Sequence, residues 1–208
     1  MRLVLASNNA KKLAELKGLL GGIDLILVAQ GELGIAEADE PHVTFIENAL
    51  AKARHAAAAA GCAAIADDSG VCVDALGGEP GVVSAHFAGQ VAARADREAQ
   101  RRVQDAANNG LLLQRLQGAA DRRAHFVSTL VAVRQANDPQ PLVATGRWPG
   151  LILQAPRGER GFGYDPLMFI ADLDCTVAEM DPALKNVHSH RARAMAQMRQ
   201  LLRDVWQL

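Results

Sequence analysis

Residues 44–70 constrain the fold of this chain more than any other stretch. Thr44-Phe45-Ile46-Glu47 has the spacing of a capping box, with a threonine at the N-cap and a glutamate at N3. The alanine-rich segment after it predicts a helix that stops at Gly61, a residue suited to the C′ position. Residues 62–66 are short, apolar and strand-like, and they end abruptly at Asp67-Asp68-Ser69-Gly70. A helix that feeds a buried strand so directly is a building unit of α/β folds.

The same alternation continues along the chain. Residues 2–6 form an apolar run that ends in Ser7-Asn8-Asn9, three good N-cap residues, and Leu13, Leu16 and Leu20 then recur at helical spacing. Gly21-Gly22 stop that helix, and 25–28 resume as a strand. Residues 71–73 suggest a separate strand, and 76–81 a turn-rich loop. Residues 94–117 read as a mostly polar helix, weakly punctuated at Asn108-Asn109-Gly110. Strands are expected over 125–133, 142–145 and 151–153, and a Gly- and Pro-rich loop over 155–166. Met195, Met198, Leu202 and Val205 place an apolar stripe on a C-terminal helix opened by Ser189. With no internal repeat and no low-complexity linker, the economical organisation is one mixed α/β domain over residues 1–208.

Composition narrows the function. The formal net charge of −1 over 208 residues, without a long like-charge block, argues against a nucleic-acid groove or a membrane-surface patch. No apolar run approaches the ~18 residues of a membrane span, and the first six residues are too short for the apolar region of a signal peptide. The three cysteines, Cys62, Cys72 and Cys175, are odd in number and lack metal-ligand spacing, which points to a reduced, cytoplasmic setting.

Four clusters carry chemistry. Ser7-x-Asn9-x-x-Lys12 lies at a strand-to-helix junction, where free N–H groups and the positive end of a helix dipole favour an anion. Taken alone it is also satisfied by helix capping plus a solvated lysine. Asp67-Asp68, two carboxylates at a strand end, are costly unless they meet water, a cation or donors, and hard oxygens of this kind suit Mg²⁺. The plain alternative is an Asp-Ser-Gly turn. Glu37, Asp39 and Glu40 form an acidic loop before the helix that carries Lys52; alone they read as a solvated loop. Finally, two late loops stand out: Phe162 and Tyr164 lie between and beside glycines, where rings can meet a flat base, and Lys185 with Ser189-His190-Arg191 follows. The plain alternatives are ordinary loop packing for the rings and surface histidines near a helix start for His188 and His190. No third or fourth soft ligand lies at zinc spacing near His188 and His190.

In order, Ser7-x-Asn9-x-x-Lys12, Thr44-Phe45-x-Glu47-Asn48-Ala49, Ala66-Asp67-Asp68-Ser69-Gly70, Gly77-Gly78-x-Pro80-Gly81, Phe162-Gly163-Tyr164-Asp165-Pro166 and Lys185…Ser189-His190-Arg191 resemble the inosine triphosphate pyrophosphatase family. The likeness covers nearly the whole chain. It implies a central mixed β-sheet flanked by helices, in two lobes around an active-site cleft. It further implies a Mg²⁺-dependent enzyme that releases pyrophosphate from XTP, ITP or dITP, assembled as a homodimer, with no nucleic-acid or membrane partner. By the same resemblance Ser7, Asn8, Asn9, Ala10, Lys11 and Lys12 form the first substrate loop, and Lys52 is a second phosphate lysine. Asp68 is the catalytic, metal-linked carboxylate, and the acidic loop supplies a further ligand, with Asp39 fitting the family spacing and Glu40 beside it. Ser69 touches substrate, and Phe162, Gly163, Tyr164, Asp165, Lys185, His190 and Arg191 form the base pocket. Two rivals stand beside this reading: a house-cleaning pyrophosphatase for other modified nucleotides, and a nucleotide-binding regulatory module without turnover.

Overall fold

The computed structural model describes residues 1–8, 14, 16–18, 25–92 and 96–208. Seven strands form one sheet in the order β2-β1-β3-β4-β5-β6-β7. They are β1 (Arg2–Leu5), β2 (Ile26–Ala29), β3 (Ala63–Val73), β4 (Arg123–Val133), β5 (Leu142–Ile152), β6 (Met168–Ile170) and β7 (Cys175–Thr176). β1 is parallel to β2 and β3, whereas β6 is antiparallel to β5 and β7, so the sheet is mixed. The helices are α1 (Phe45–Ala60), α2 (Arg97–Arg115), α3 (Pro182–His188) and α4 (His190–Trp206). No helix among the described residues is long and apolar enough to cross a membrane.

The chain divides into two compact units: Met1–Ser69, Ser128–Arg147 and Asn186–Leu208 in the first, Gly70–Val127 and Trp148–Lys185 in the second. In the first unit, strand alternation builds two cores at once. Leu3, Leu5, Ala63, Ile65, Leu130 and Ala132 pack with Met195, Met198, Leu202 and Trp206 of α4. Their neighbours Val4, Ala6, Ala64, Ala66, Val131 and Val133 pack with Ala49, Ala53, Ala56 and Ala57 of α1. In the second unit, Val71, Val73, Phe126, Trp148, Ile152 and Met168 surround Leu112 of α2 and Leu116, its C-cap.

Local chemistry set several boundaries as the sequence indicates. Thr44 Oγ1 accepts the Glu47 N–H at 3.3 Å and donates to the Glu47 carboxylate at 2.6 Å. Gly61 ends α1 in the left-handed region, and Ser189 caps α4 by accepting from the Ala192 N–H.

Other expectations are corrected. Residues 62–66 and 71–73 are not two strands: β3 runs unbroken through Asp67-Asp68-Ser69-Gly70. Likewise 142–145 and 151–153 belong to one strand that passes through Pro149-Gly150. α2 is continuous through Asn108-Asn109-Gly110. Lys185 sits on the short helix α3 rather than in a loop. On α4, Trp206 closes the buried stripe and Val205 is exposed. The three cysteines are free thiols, as expected. Most of the first predicted helix lies outside the described residues, although Leu16 is helical and buried.

Two glycines separate backbone cost from crowding. Gly110 is exposed in mid-α2 with open space at its Cβ position, so Gly110→Ala is expected to raise unfolding free energy by ~0.5–1 kcal/mol. A Cβ on Gly146 of β5 would strike the His190 carbonyl and, at 2.5 Å, the Ala194 nitrogen. Gly146→Ala should therefore cost ~1–3 kcal/mol as α4 is pushed away. Urea melts of both variants measure the opposite signs.

Candidate active site

In strand order, β1 connects toward β2 on one side while β3 leads to β4 on the other, so a topological switch point lies between β1 and β3, at the carboxyl end of β1. The register Leu5–Ile65 brings Ser7-Asn8 and Asp67-Asp68 to that same end. Sequence reading placed the aspartates at the end of a strand. Their position inside one explains more, because neighbours in a strand face opposite sides.

Asp68 faces the α1 side with Ala64 and Ala66. Lys52, in the buried stripe of α1 among Asn48, Ala49, Ala53 and Ala56, donates to its Oδ1 at 3.0 Å. The same ammonium is 3.2 Å from Glu40 Oε2. Burial by itself pulls the Lys52 pKa down, but Asp68, Glu40 and Asp67 outweigh it and hold the ammonium above its ordinary value. Its charge thus contributes stability in full below the unfolded pKa near 10.5 and loses that contribution only as pH rises through the higher folded value. Two residues fix the acidic loop against α1: Asn48 accepts the His42 N–H and donates to the His42 carbonyl, and the His55 ring bonds the Ala36 carbonyl. This brings Glu40 to Lys52. Glu37, Asp39 and Glu40 are all exposed.

Asp67 faces the α4 side with Ala63 and Ile65. Ser128 Oγ of β4 donates to its Oδ1 at 2.6 Å, and Ser69 Oγ to its Oδ2 at 3.0 Å. Arg191, buried in the first turn of α4, donates from Nη2 to Ser69 Oγ at 2.9 Å and places Nε 3.5 Å from Asp67. His190 beside it is also buried, not a surface histidine. Sequence reasoning missed Ser128 and Asn48. The signal for Ser128 was a hydroxyl pair, Ser128-Thr129, in an otherwise apolar strand.

The second unit carries the remaining predicted residues. Gly161 and Gly163 hold left-handed φ of 78° and 62°. Asp165, itself buried, accepts from the Phe162 N–H and from Lys185 Nζ, both at 2.9 Å. The Lys185 ammonium stands 4.8 Å from the Phe162 ring centroid, and that ring is only partly buried. Tyr164 turns the other way: its ring joins the core, and its hydroxyl donates to the Ser84 carbonyl at 2.8 Å. Burial, with the Asp105 carboxylate adding to it, raises the phenol well above the ordinary tyrosine pKa, so it remains a donor. Asn9, Ala10, Lys11 and Lys12 lie outside the described residues.

Comparison with known proteins gives one consistent answer. The model of the Ham1 family matches residues 3–201. A dITP/XTP pyrophosphatase from Methylibium petroleiphilum is 70% identical, with 99% of each chain covered. Another, from Leptothrix cholodnii, is 65% identical over 100% of both chains. The solved structure of a HAM1 protein from Coxiella burnetii superposes with a TM-score of 0.87 at 40% identity, covering 97% of this chain and 98% of that one. With the switch-point carboxylates, the paired lysine and the glycine-flanked phenylalanine all in the expected order, the chain belongs to the Ham1 family.

Proposed function

We propose that this chain hydrolyses the non-canonical purine nucleoside triphosphates XTP, ITP and dITP to the monophosphate and pyrophosphate, removing them from the nucleotide pool. The observation that carries the reading is the Asp68–Lys52–Glu40 group, with Asp68 inside β3 just past the level at which β1 ends. It sits in a chain 70% identical to a protein named for this reaction.

The donor set fits Mg²⁺. Among the described residues no three His, Cys, Asp or Glu side chains gather as a metal cage. Mg²⁺ does not need one, being commonly held by one or two carboxylates together with substrate phosphates. Asp68 and Glu40 would hold it, with Asp39 the next acid in the same loop. When bound, it supplies positive charge to the phosphoryl oxygens.

The chain's own residues do the rest. A water oxygen bonds to the α-phosphorus in line as the bond from that phosphorus to the bridging oxygen breaks, and pyrophosphate leaves with the electron pair. Asp68 orients this water and takes its proton. Lys52, with Lys12 in the first substrate loop, offsets charge on the phosphates, and Ser7, Asn8, Asn9, Ala10 and Lys11 complete that loop. Ser69 and Arg191 are held ready by Asp67 for substrate contact. Phe162 meets the base face, while Gly163, Asp165, Lys185 and His190 serve its edge. Tyr164 contributes by anchoring the loop rather than by stacking. Donors aimed at a 6-keto oxygen go unmatched by a 6-amino purine, at a cost of roughly 1–3 kcal/mol each. The enzyme is proposed to act in the cytoplasm as a homodimer, and sedimentation at monomer mass would overturn the assembly.

Pyrophosphate release from ITP, XTP, dITP, ATP, GTP and dTTP, with Mg²⁺ or EDTA, tests the activity. Expected are fast turnover of the first three, none in EDTA, and a loss of at least ~10²-fold in Asp68→Asn. Preference for another base would leave the hydrolytic centre and overturn the base assignment. Nucleotide binding without any release would make the chain a regulatory module. The acids of the loop separate in a Mg²⁺ titration: Glu40→Gln should raise the Mg²⁺ needed for half-maximal rate by about tenfold or more, and Asp39→Asn by far less. Equal effects would return Asp39 to the metal.

A further inference from the structure

The polar face of α2 is larger than a solvated helix needs, and the proposed chemistry leaves it unused. Gln100, Gln104 and Asn108, one turn apart, bond the backbone of residues 84–91. Gln104 accepts from the Val91 N–H, and Asn108 accepts from the Ala88 N–H and donates to the Ser84 and Ala85 carbonyls. Gln104 and Asn108 are both buried. One residue further round the helix, Asp105 and Asn109 turn to a different loop. Asp105 accepts the Gly163 N–H at 2.8 Å, and Asn109 Nδ2 donates to the Gly163 carbonyl at 3.0 Å.

We propose that Asp105 and Asn109 are positioning residues for base recognition, holding the peptide on each side of Gly163 so that the Phe162 ring keeps one orientation. This rests on reading Phe162 and its neighbours as the base loop. Such a hold adds to the loop's own bonds where the backbone is freest: Gly158, Gly161 and Gly163 all take left-handed φ, and glycine loses more backbone freedom on ordering than any other residue. The Gly163 Cβ position is open, so glycine is needed there for its φ and not for crowding. Asp165 fixes Phe162 from the loop's own interior, through the Phe162 N–H. The clamp on Gly163 fixes it from a helix, and the Asp105 contact is charge-assisted. The Tyr164 hydroxyl bonds the same Ser84 carbonyl that Asn108 holds, which ties the two bonded loops to one helix face.

The test is the ratio of kcat/KM for ITP to that for ATP in wild type, Asp105→Ala, Asn109→Ala and Asp105→Asn. A variant that is merely less folded loses both substrates equally and leaves the ratio unchanged. A misplaced base loop costs the matched base more. Asp105→Ala and Asn109→Ala should each lower the ratio about tenfold, mainly through KM for ITP, as loss of one such hydrogen bond implies. Asp105→Asn keeps an oxygen acceptor for the Gly163 N–H and should stay within about twofold of wild type. Unchanged ratios in both alanine variants overturn the proposal. If Asp105→Ala does not fold, Asn109→Ala decides alone. A wild type with no preference for ITP overturns the base-loop reading itself, before any variant is compared.

Discussion

A lysine lying in an alanine stripe of a helix must be neutralised where it lies. Lys52 occupies such a stripe, and a desolvated ammonium there is tolerable only with carboxylates in reach. Asp68 and Glu40 meet that demand from two directions, one from a sheet strand and one from the loop before α1. Much else follows from this. α1 must present small side chains for Lys52 to lie close to β3, the acidic loop must be tied down by Asn48 and His55, and β3 must stay extended through its aspartates. The result is two carboxylates gathered about one buried ammonium.

Strand alternation then gives adjacent aspartates different work. Asp67 spends its oxygens on Ser128 and Ser69, with the Arg191 guanidinium beside it. It is a brace that orders a serine and an arginine at the start of α4. Asp68 faces the lysine on the other side of the sheet. An Asp-Asp pair in a turn would place both carboxylates in similar surroundings and could not divide the roles in this way.

What the sequence made legible was chemistry closed within a few residues. The Thr44 box, the Gly61 stop and the Ser189 cap need only their immediate neighbours, and all three formed as read. What it hid depended on partners far along the chain. Asp67-Asp68-Ser69-Gly70 is good turn chemistry, and donors at Lys52, Ser128 and Arg191 are what suit it to a strand. Pro149-Gly150 reads as a break, yet β5 runs through it. The order of the site motifs was legible, whereas the choice of Glu40 over Asp39 at Lys52 was not. Both acids are exposed, and the Glu40 contact comes from a loop that Asn48 ties to α1 through His42, well outside either acid's immediate neighbours. Tyr164 and Phe162 are equivalent as aromatic residues beside glycine, and their division into buried anchor and half-buried ring is a matter of burial.

Both loops near the assigned residues are held in the same way. Asn48 bonds the N–H and the carbonyl of His42, and Asp105 with Asn109 bonds the N–H and the carbonyl of Gly163. A residue in a loop has no ladder or helix to satisfy its backbone, and a half-buried peptide cannot rely on water alone. A short amide or carboxylate on a rigid helix replaces that missing partner and transfers the precision of the helix to the loop. Longer side chains would reach but not fix, since each further rotatable bond adds freedom that must be lost again. Asn48 on α1 and Asp105, Asn108 and Asn109 on α2, where helix propensity disfavours them, are therefore a cost in local stability accepted for loop placement. Helix propensity alone would favour alanine at these positions, and an α1 or α2 built that way would leave His42 and Gly163 without their partners.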